Sequence, residues 1–216
     1  MVSLALPDII SYLLLAARWT LVLSAIAFLG GGIGATLLLL LRYAYPAAGK
    51  QIVSVYTGLL QGTPLLLQLF VVFFGLPLLG IEVSPLLAAT VALTLYASAF
   101  LTEIWRGCVD AIPRGQWDAS ASLGMNFLTQ MTYVILPQSA RIAIPPTVGF
   151  LVQLLKSTAL ASIVGFSELT RAAQILANAT FQPFLIYGLV ALVYFAMCYP
   201  LTVGSRFLER KLSNSK

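Results

Sequence analysis

The polar residues most able to do chemistry in this chain sit where polar residues are expensive. Lys156 is flanked by Gln153, Ser157 and Thr158 inside the apolar run 144–166, and Gln61, Thr63, Pro64 and Gln68 form a second cluster inside the run 52–79. A lysine near the middle of a membrane span costs about 2.5–3.5 kcal/mol on insertion scales, so it persists where it pairs internally or faces a watery pathway. Amide, hydroxyl and ammonium groups along such a pathway hold a polar solute by hydrogen bonds and charge. On this reading Gln61, Thr63, Gln68, Gln153, Lys156, Ser157 and Thr158 line a solute path, with Lys156 placed to meet a carboxylate. A purely structural partner for Lys156 is the alternative. Pro64 removes a backbone donor and bends its helix, as a gate or as a packing kink. Glu103 and Arg106, three apart, are expected to pair with each other in a structural role. Glu168 falls just past the fourth apolar run, as a gate residue, a structural residue or a contact for an outer binding protein.

Bond-breaking chemistry has little to work with. The chain has no histidine, and Cys108 and Cys198 have neither metal-ligand nor redox spacing, so no metal site and no histidine-based triad is expected. No Gly-x4-Gly-Lys-Ser/Thr loop occurs, which leaves any ATP, and its magnesium, to a separate subunit. The net charge of +5 comes from scattered bases and not from one basic patch, which argues against nucleic acid.

The elements that carry these residues are membrane helices. Of the 216 residues, 60% are hydrophobic and 9% charged, with a mean hydropathy of +0.96, against about a quarter charged in soluble domains. Helices need about 20 apolar residues to cross roughly 30 Å of hydrocarbon, and five runs qualify: approximately 13–41, 52–79, 85–104, 144–166 and 184–205. The expected fold is all-α, a polytopic integral membrane protein forming one domain over residues 1–216. The first run lacks the basic flank of a secretory signal and reads as a retained span. Gly30 and Gly34, four apart on one face, predict a close helix–helix approach there. Five spans put the two termini on opposite sides. With the C-terminus inside, Arg42, Lys50, Arg106, Arg114, Arg141, Arg206, Arg210, Lys211 and Lys216 are cytoplasmic, and only Arg18 and Arg171 are outside. Nine bases against two satisfies the positive-inside bias.

That orientation puts the polar segment 106–141, between the third and fourth spans, in the cytoplasm. Residues 115–123 predict a short helix with Asp118 and Ser122 on one face, and Gly124 supplies a left-handed position at its end. Asn126 is placed to cap a second helix reaching about Leu136, with Pro137 as its stop. Ala119, Ser120 and Ala121 are small enough to let the first helix sink into a partner's groove, where Asp118 would meet a basic or amide group.

The order Asp118-Ala119-Ser120, Gly124, then Val134, Leu136 and Pro137 resembles the cytoplasmic loop of the membrane subunits of bacterial ATP-binding cassette importers. The motifs around Gln61-Gly62-Thr63-Pro64, Glu103 to Met125, Val134 to Pro146 and Leu154 to Leu169 extend the likeness to the polar amino acid permease branch. Asp118 stands where the family has Glu, Ser120 where it has Ala, Gln61 where it has Arg, and Ser157 and Ala159 where it has Asp and Ser. The resemblance implies a coupling helix in which Gln116, Asp118, Ala119, Ser120, Gly124, Leu136 and Pro137 meet an ATPase dimer. It also implies a second permease copy or a similar chain, an extracytoplasmic amino acid-binding protein, and residence in the bacterial inner membrane. The chain itself would hydrolyse nothing. A permease for another small solute, or an ion-coupled secondary transporter, is the alternative; the latter usually shows internal repeats, which are absent here.

Overall fold

The computed structural model describes residues 5–213, and every regular element among them is helical. Helix α1 (Leu6–Ala44) is followed by α2 (Ala48–Gly62), α3 (Leu65–Phe70), a π turn at Val71–Gly75 and α4 (Leu76–Leu78). Then come α5 (Pro85–Asp110), the short α6 (Arg114–Ser122), α7 (Phe127–Gln130), a second π turn at Met131–Ile135, and α8 (Leu136–Ser157), which ends in a 3-10 turn at Thr158–Ser162. α9 (Leu169–Thr180) and α10 (Pro183–Ser213) complete the chain. Four helical stretches are long and apolar enough to cross a bilayer: Leu6–Ala44, Pro85–Asp110, Phe127–Ser162 and Pro183–Lys211. Ala48–Gly62 and Leu65–Leu78 make the fifth if that bent pair counts as one span. Lys216, counted above among the inner bases, lies outside the described residues.

α5 is the centre of the bundle, and small side chains make it so. Ser84 caps it by accepting from the Leu87 N–H, and Pro85 takes the first turn, where its missing donor is harmless. Ala88, Ala89, Ala92, Ala97 and Ala99 are fully buried along its length. Against that face α1 presents Gly30, Gly31 and Gly34. A Cβ on Gly31 would lie 3.0 Å from the Ala97 carbonyl carbon and the Ser98 nitrogen, and one on Gly34 would lie 2.8 Å from the Ser98 Cβ. The close approach expected of Gly30 and Gly34 is present, and Gly31, not singled out from the sequence, is the tightest point.

Two smaller clusters close the ends. At one end Ile9, Leu13 and Ala17 of α1 pack with Leu169, Ala173 and Leu176 of α9 and Ile186 of α10. At the other, Val109, Ile112, Met131 and Ile135 gather Tyr43, Trp117 and Val134. The end of α1, the end of α5, and the α6–α7 segment therefore share one pole of the bundle.

Several sequence expectations are corrected. The second span is not a kinked rod but two pieces meeting at 101°. Thr63 and Pro64 adopt extended backbone at the break. Pro137 does not stop a helix. It lies in the first turn of α8, just beyond a π turn in which the Leu136 N–H reaches back to the Met131 carbonyl, so helix continues through it. The fourth span consequently begins near Phe127 rather than 144, and Lys156 lies in the last turn of α8 instead of mid-span. α9 was not foreseen, because its four alanines and mixed polar residues carry too little hydropathy to read as a span. The remaining helices match the expected runs but extend further, α1 by several residues at its start and α10 well past Ser205.

Gly31→Leu is expected to destabilise the protein by at least about 1–3 kcal/mol through overpacking against α5, read as a lowered melting temperature in detergent. Gly58→Ala, where nothing lies within 4 Å of a new Cβ, is the control and should leave the melting temperature unchanged or raise it.

Candidate functional site

α6 forms as a nine-residue helix, one residue earlier than the sequence suggests. Its end is a Schellman arrangement: the Gly124 N–H donates to the Ala121 carbonyl (2.9 Å) and the Met125 N–H to the Ser120 carbonyl (3.2 Å), with Gly124 at φ +74°. Asn126 then caps α7 as expected, its Oδ1 accepting from the Thr129 N–H and hydroxyl, both at 2.9 Å. The two sides of α6 differ. Gln116, Asp118 and Ala119 are exposed, with Gly124 and Leu123 beside them, whereas Ser120 is buried and donates to the Trp117 carbonyl. The Trp117 ring stacks on Phe127 at 6.4 Å and joins the apolar cluster at the pole. Leu136 and Pro137 are exposed on the adjoining turn. Gln138, which the sequence reading passed over, donates to Gln116 Oε1 (3.3 Å) and to the Val134 carbonyl (2.8 Å), tying α6 to the long helix behind it. What results is a small, firmly seated helix whose outer face carries one carboxylate and short side chains.

The residues read as a solute path fall into two groups. Gln61, Thr63, Pro64 and Gln68 gather at the broken span. Pro64 has no N–H for the Leu60 carbonyl four residues back, and the Gln68 Nε2 supplies one at 2.7 Å. The same amide nitrogen reaches the Thr63 carbonyl (3.1 Å) and hydroxyl (3.0 Å), while Gln61 donates across to the Ala99 carbonyl of α5 (3.3 Å). The Gln68 Oε1 is buried without a partner. At the end of α8, Gln153 and Lys156 are exposed on one face with Ser157 half-buried beside them, and the Ser157 hydroxyl donates to the Gln153 carbonyl. Thr158 turns inward, fully buried, and donates to the Leu155 carbonyl.

Glu103 and Arg106 pair as expected, at 2.7 Å, and Arg106 also binds Asp110. The second carboxylate oxygen of Glu103 accepts from Thr57, which fastens α2 to α5. Glu168 is not on the surface. It is fully buried as the N-cap of α9, accepting from the Arg171 N–H (2.9 Å), the Tyr194 hydroxyl (3.1 Å) and the Thr20 hydroxyl (3.4 Å). Thr20 in turn accepts from the Leu169 N–H. Thr20 and Tyr194, on α1 and α10, were invisible to sequence reasoning because nothing local marks them as partners of a residue some 150 positions away or on another helix.

A break at a Gly-Thr-Pro, a short outward helix ending in a left-handed glycine, and a bundle of membrane-length helices occur here together. Residues 32–214 match the family model described as the binding-protein-dependent transport system inner membrane component. The chain belongs to this family. The permease is 33% identical over 203 residues to the probable amino-acid ABC transporter permease protein YckA of Bacillus subtilis strain 168, covering 94% of this chain and 90% of that one. It is 35% identical over 195 residues to the L-cystine transport system permease protein TcyB of the same organism, covering 90% and 83%. A solved structure of an amino acid ABC transporter with histidines superimposes with a TM-score of 0.90 at 29% identity, over 97% of the permease and 100% of that chain. The all-α membrane fold is thus that of a transport-system inner membrane subunit.

Burial pushes the Glu168 carboxyl above its ordinary pKa of 4.5, against the hydrogen bonds from Arg171, Tyr194 and Thr20 that favour the charged form. A raised folded-state pKa means that the contribution of Glu168 to stability is full below 4.5 and is lost as pH rises through the raised value. Glu168→Gln should therefore flatten that part of the stability–pH curve, measured by thermal unfolding at a series of pH values. Equal slopes in both proteins would contradict the assignment. Glu168→Ala, which removes the cap, should cost most, about 0.5–2 kcal/mol, below pH 4.5 and less as pH rises through the raised value.

Proposed function

We propose that this chain forms half of the translocation path of an ATP-driven importer for a polar amino acid, driven through α6 by a separate ATPase dimer. The observation that carries the proposal is the geometry of α6: Gln116, Asp118 and Ala119 face outward on a helix anchored by Trp117 to the pole formed by α1, α5 and the α7 segment, and tied by the Gln138–Gln116 hydrogen bond to the long helix behind it. These contacts give a force applied to that helix a direct route to the membrane segments. The relatives named above support the amino acid reading. Five spans enclose too little for a whole path, so a second copy or a similar permease completes it, and an extracytoplasmic binding protein delivers the solute. ATP and magnesium reside in the ATPase subunits. The charge count supports a C-terminus in the cytoplasm and an N-terminus outside, in the bacterial inner membrane.

Within the path, Gln153, Lys156 and Ser157 form the exposed polar face at the end of α8, and Gln61, Thr63 and Gln68 line the broken span. The mechanism is alternating access. ATP binding favours one of two conformations, and the coupling between ATP and solute is set by that difference in affinity.

Two measurements test this. Asp118→Trp or Gly124→Val, the latter forcing a β-branched side chain to φ +74°, should abolish stimulation of the ATPase by loaded binding protein in vesicles while the permease remains in the membrane. Unimpaired stimulation in both would sink the docking role. Lys156→Met should lower uptake at least about tenfold at equal membrane abundance, or about 1.4 kcal/mol, and unchanged uptake would remove Lys156 from the path.

A further inference from the structure

An apolar groove of about 770 Å³ runs beside α1 and the end of α5, walled on its other side by the stretch from Phe127 to Leu151. Phe28, Leu40, Val109, Met131, Ile144 and Leu151 are among its lining residues. From Phe28 to Tyr43, α1 advances about 22 Å at about 1.5 Å per residue. That exceeds the roughly 15 Å of hydrocarbon in one bilayer leaflet. The polar groups of Trp105 and Thr147 satisfy each other at 3.0 Å inside it.

The open end of the groove is different in kind. It runs into a second cavity of about 310 Å³ bordered by Arg42, Pro46 and Lys50, with Tyr43 and Phe127 shared between the two. Gly49 makes this mouth possible, because a Cβ there would collide with the Leu41 carbonyl as the chain turns from α1 into α2. The turn brings Arg42 and Lys50 to one rim, and among the described residues neither forms an ion pair.

We propose that this groove holds an acyl chain of an anionic phospholipid, with its phosphate between Arg42 and Lys50. The order of chemistry along the site, two bases at the rim and then a leaflet-deep apolar trough, is that of a lipid read from headgroup to tail. Basic residues at a membrane surface attract anionic lipid, with each contributing separately. Phe127, Leu128 and Met131 form one wall immediately after Gly124, so the bound lipid props the segment behind α6 against α1. The site depends only on the bundle crossing the bilayer with Arg42 and Lys50 at the interface, and stands apart from the transport reading.

The test is lipid retention by the detergent-purified chain, measured by native mass spectrometry after addition of phosphatidylglycerol or phosphatidylcholine. The wild type should prefer phosphatidylglycerol by about tenfold. Arg42→Gln with Lys50→Gln should abolish the preference, and Ala140→Trp, which fills the groove, should lower retention of both lipids. Equal retention of the two lipids by the wild type, or a preference that survives in the double charge variant, overturns the proposal. So does a disulfide between two copies formed in membranes from a cysteine at Ala140, with Cys108 and Cys198 replaced by serine, since a second copy would then occupy the groove. The charge variant decides alone if the tryptophan variant does not fold.

Discussion

Every backbone N–H and C=O inside a bilayer must find a partner within the protein, since the hydrocarbon offers none. Long helices follow directly, and so do the ways this chain departs from them. Where Pro64 leaves the Leu60 carbonyl without a donor, the Gln68 side chain supplies one, and the break survives at membrane depth only because that amide is in place. Where Pro137 would leave another carbonyl unpaired, the helix widens into a π turn ahead of it and continues. The same pattern recurs at Val71–Gly75, two residues ahead of Pro77. Pro137 and Pro77 are carried inside helix by π turns, whereas Pro64 marks a true break.

Close packing then follows from small residues and not from large ones. Lipid tails are as apolar as leucine, so two helices gain most by bringing their backbones together. The glycines of α1 against the alanines of α5 do this. The few strong polar links, Glu103 with Arg106 and Thr57, and Glu168 with Thr20 and Tyr194, sit toward the two poles, where they fix the ends of helices that packing alone would leave free to slide.

The helical class, the five apolar runs, the glycine face of α1, and the α6–Gly124–Asn126 sequence were all readable, because each rests on a local rule: length, spacing, or a cap. The polarity of α6 was half readable. Asp118 and Ala119 face out as their types suggest, but Ser120 faces in, a matter of which side Trp117 packs on. What the sequence hid depends on distant partners. Lys156 was placed mid-span because charge-free runs locate an apolar stretch without saying where its helix starts. Glu168 was read as an outer residue because its ligands, Thr20 and Tyr194, come from the first and last helices. Pro137 was misread because a single proline looks the same whether a helix stops at it or widens to admit it.

The π turn at Met131–Ile135 has a consequence for register. A wide turn adds one residue to a helix, and in a helix of 3.6 residues per turn one residue is a rotation of about 100°. Phe127 and Leu128 on the near side, and Gln153 and Lys156 on the far side, therefore belong to one continuous rod with two phases. The face that meets α6 and the face that carries the polar end of α8 are set by the presence of a single surplus residue, so a one-residue deletion within 131–135 would turn one face away from its work while leaving every side chain on the other untouched.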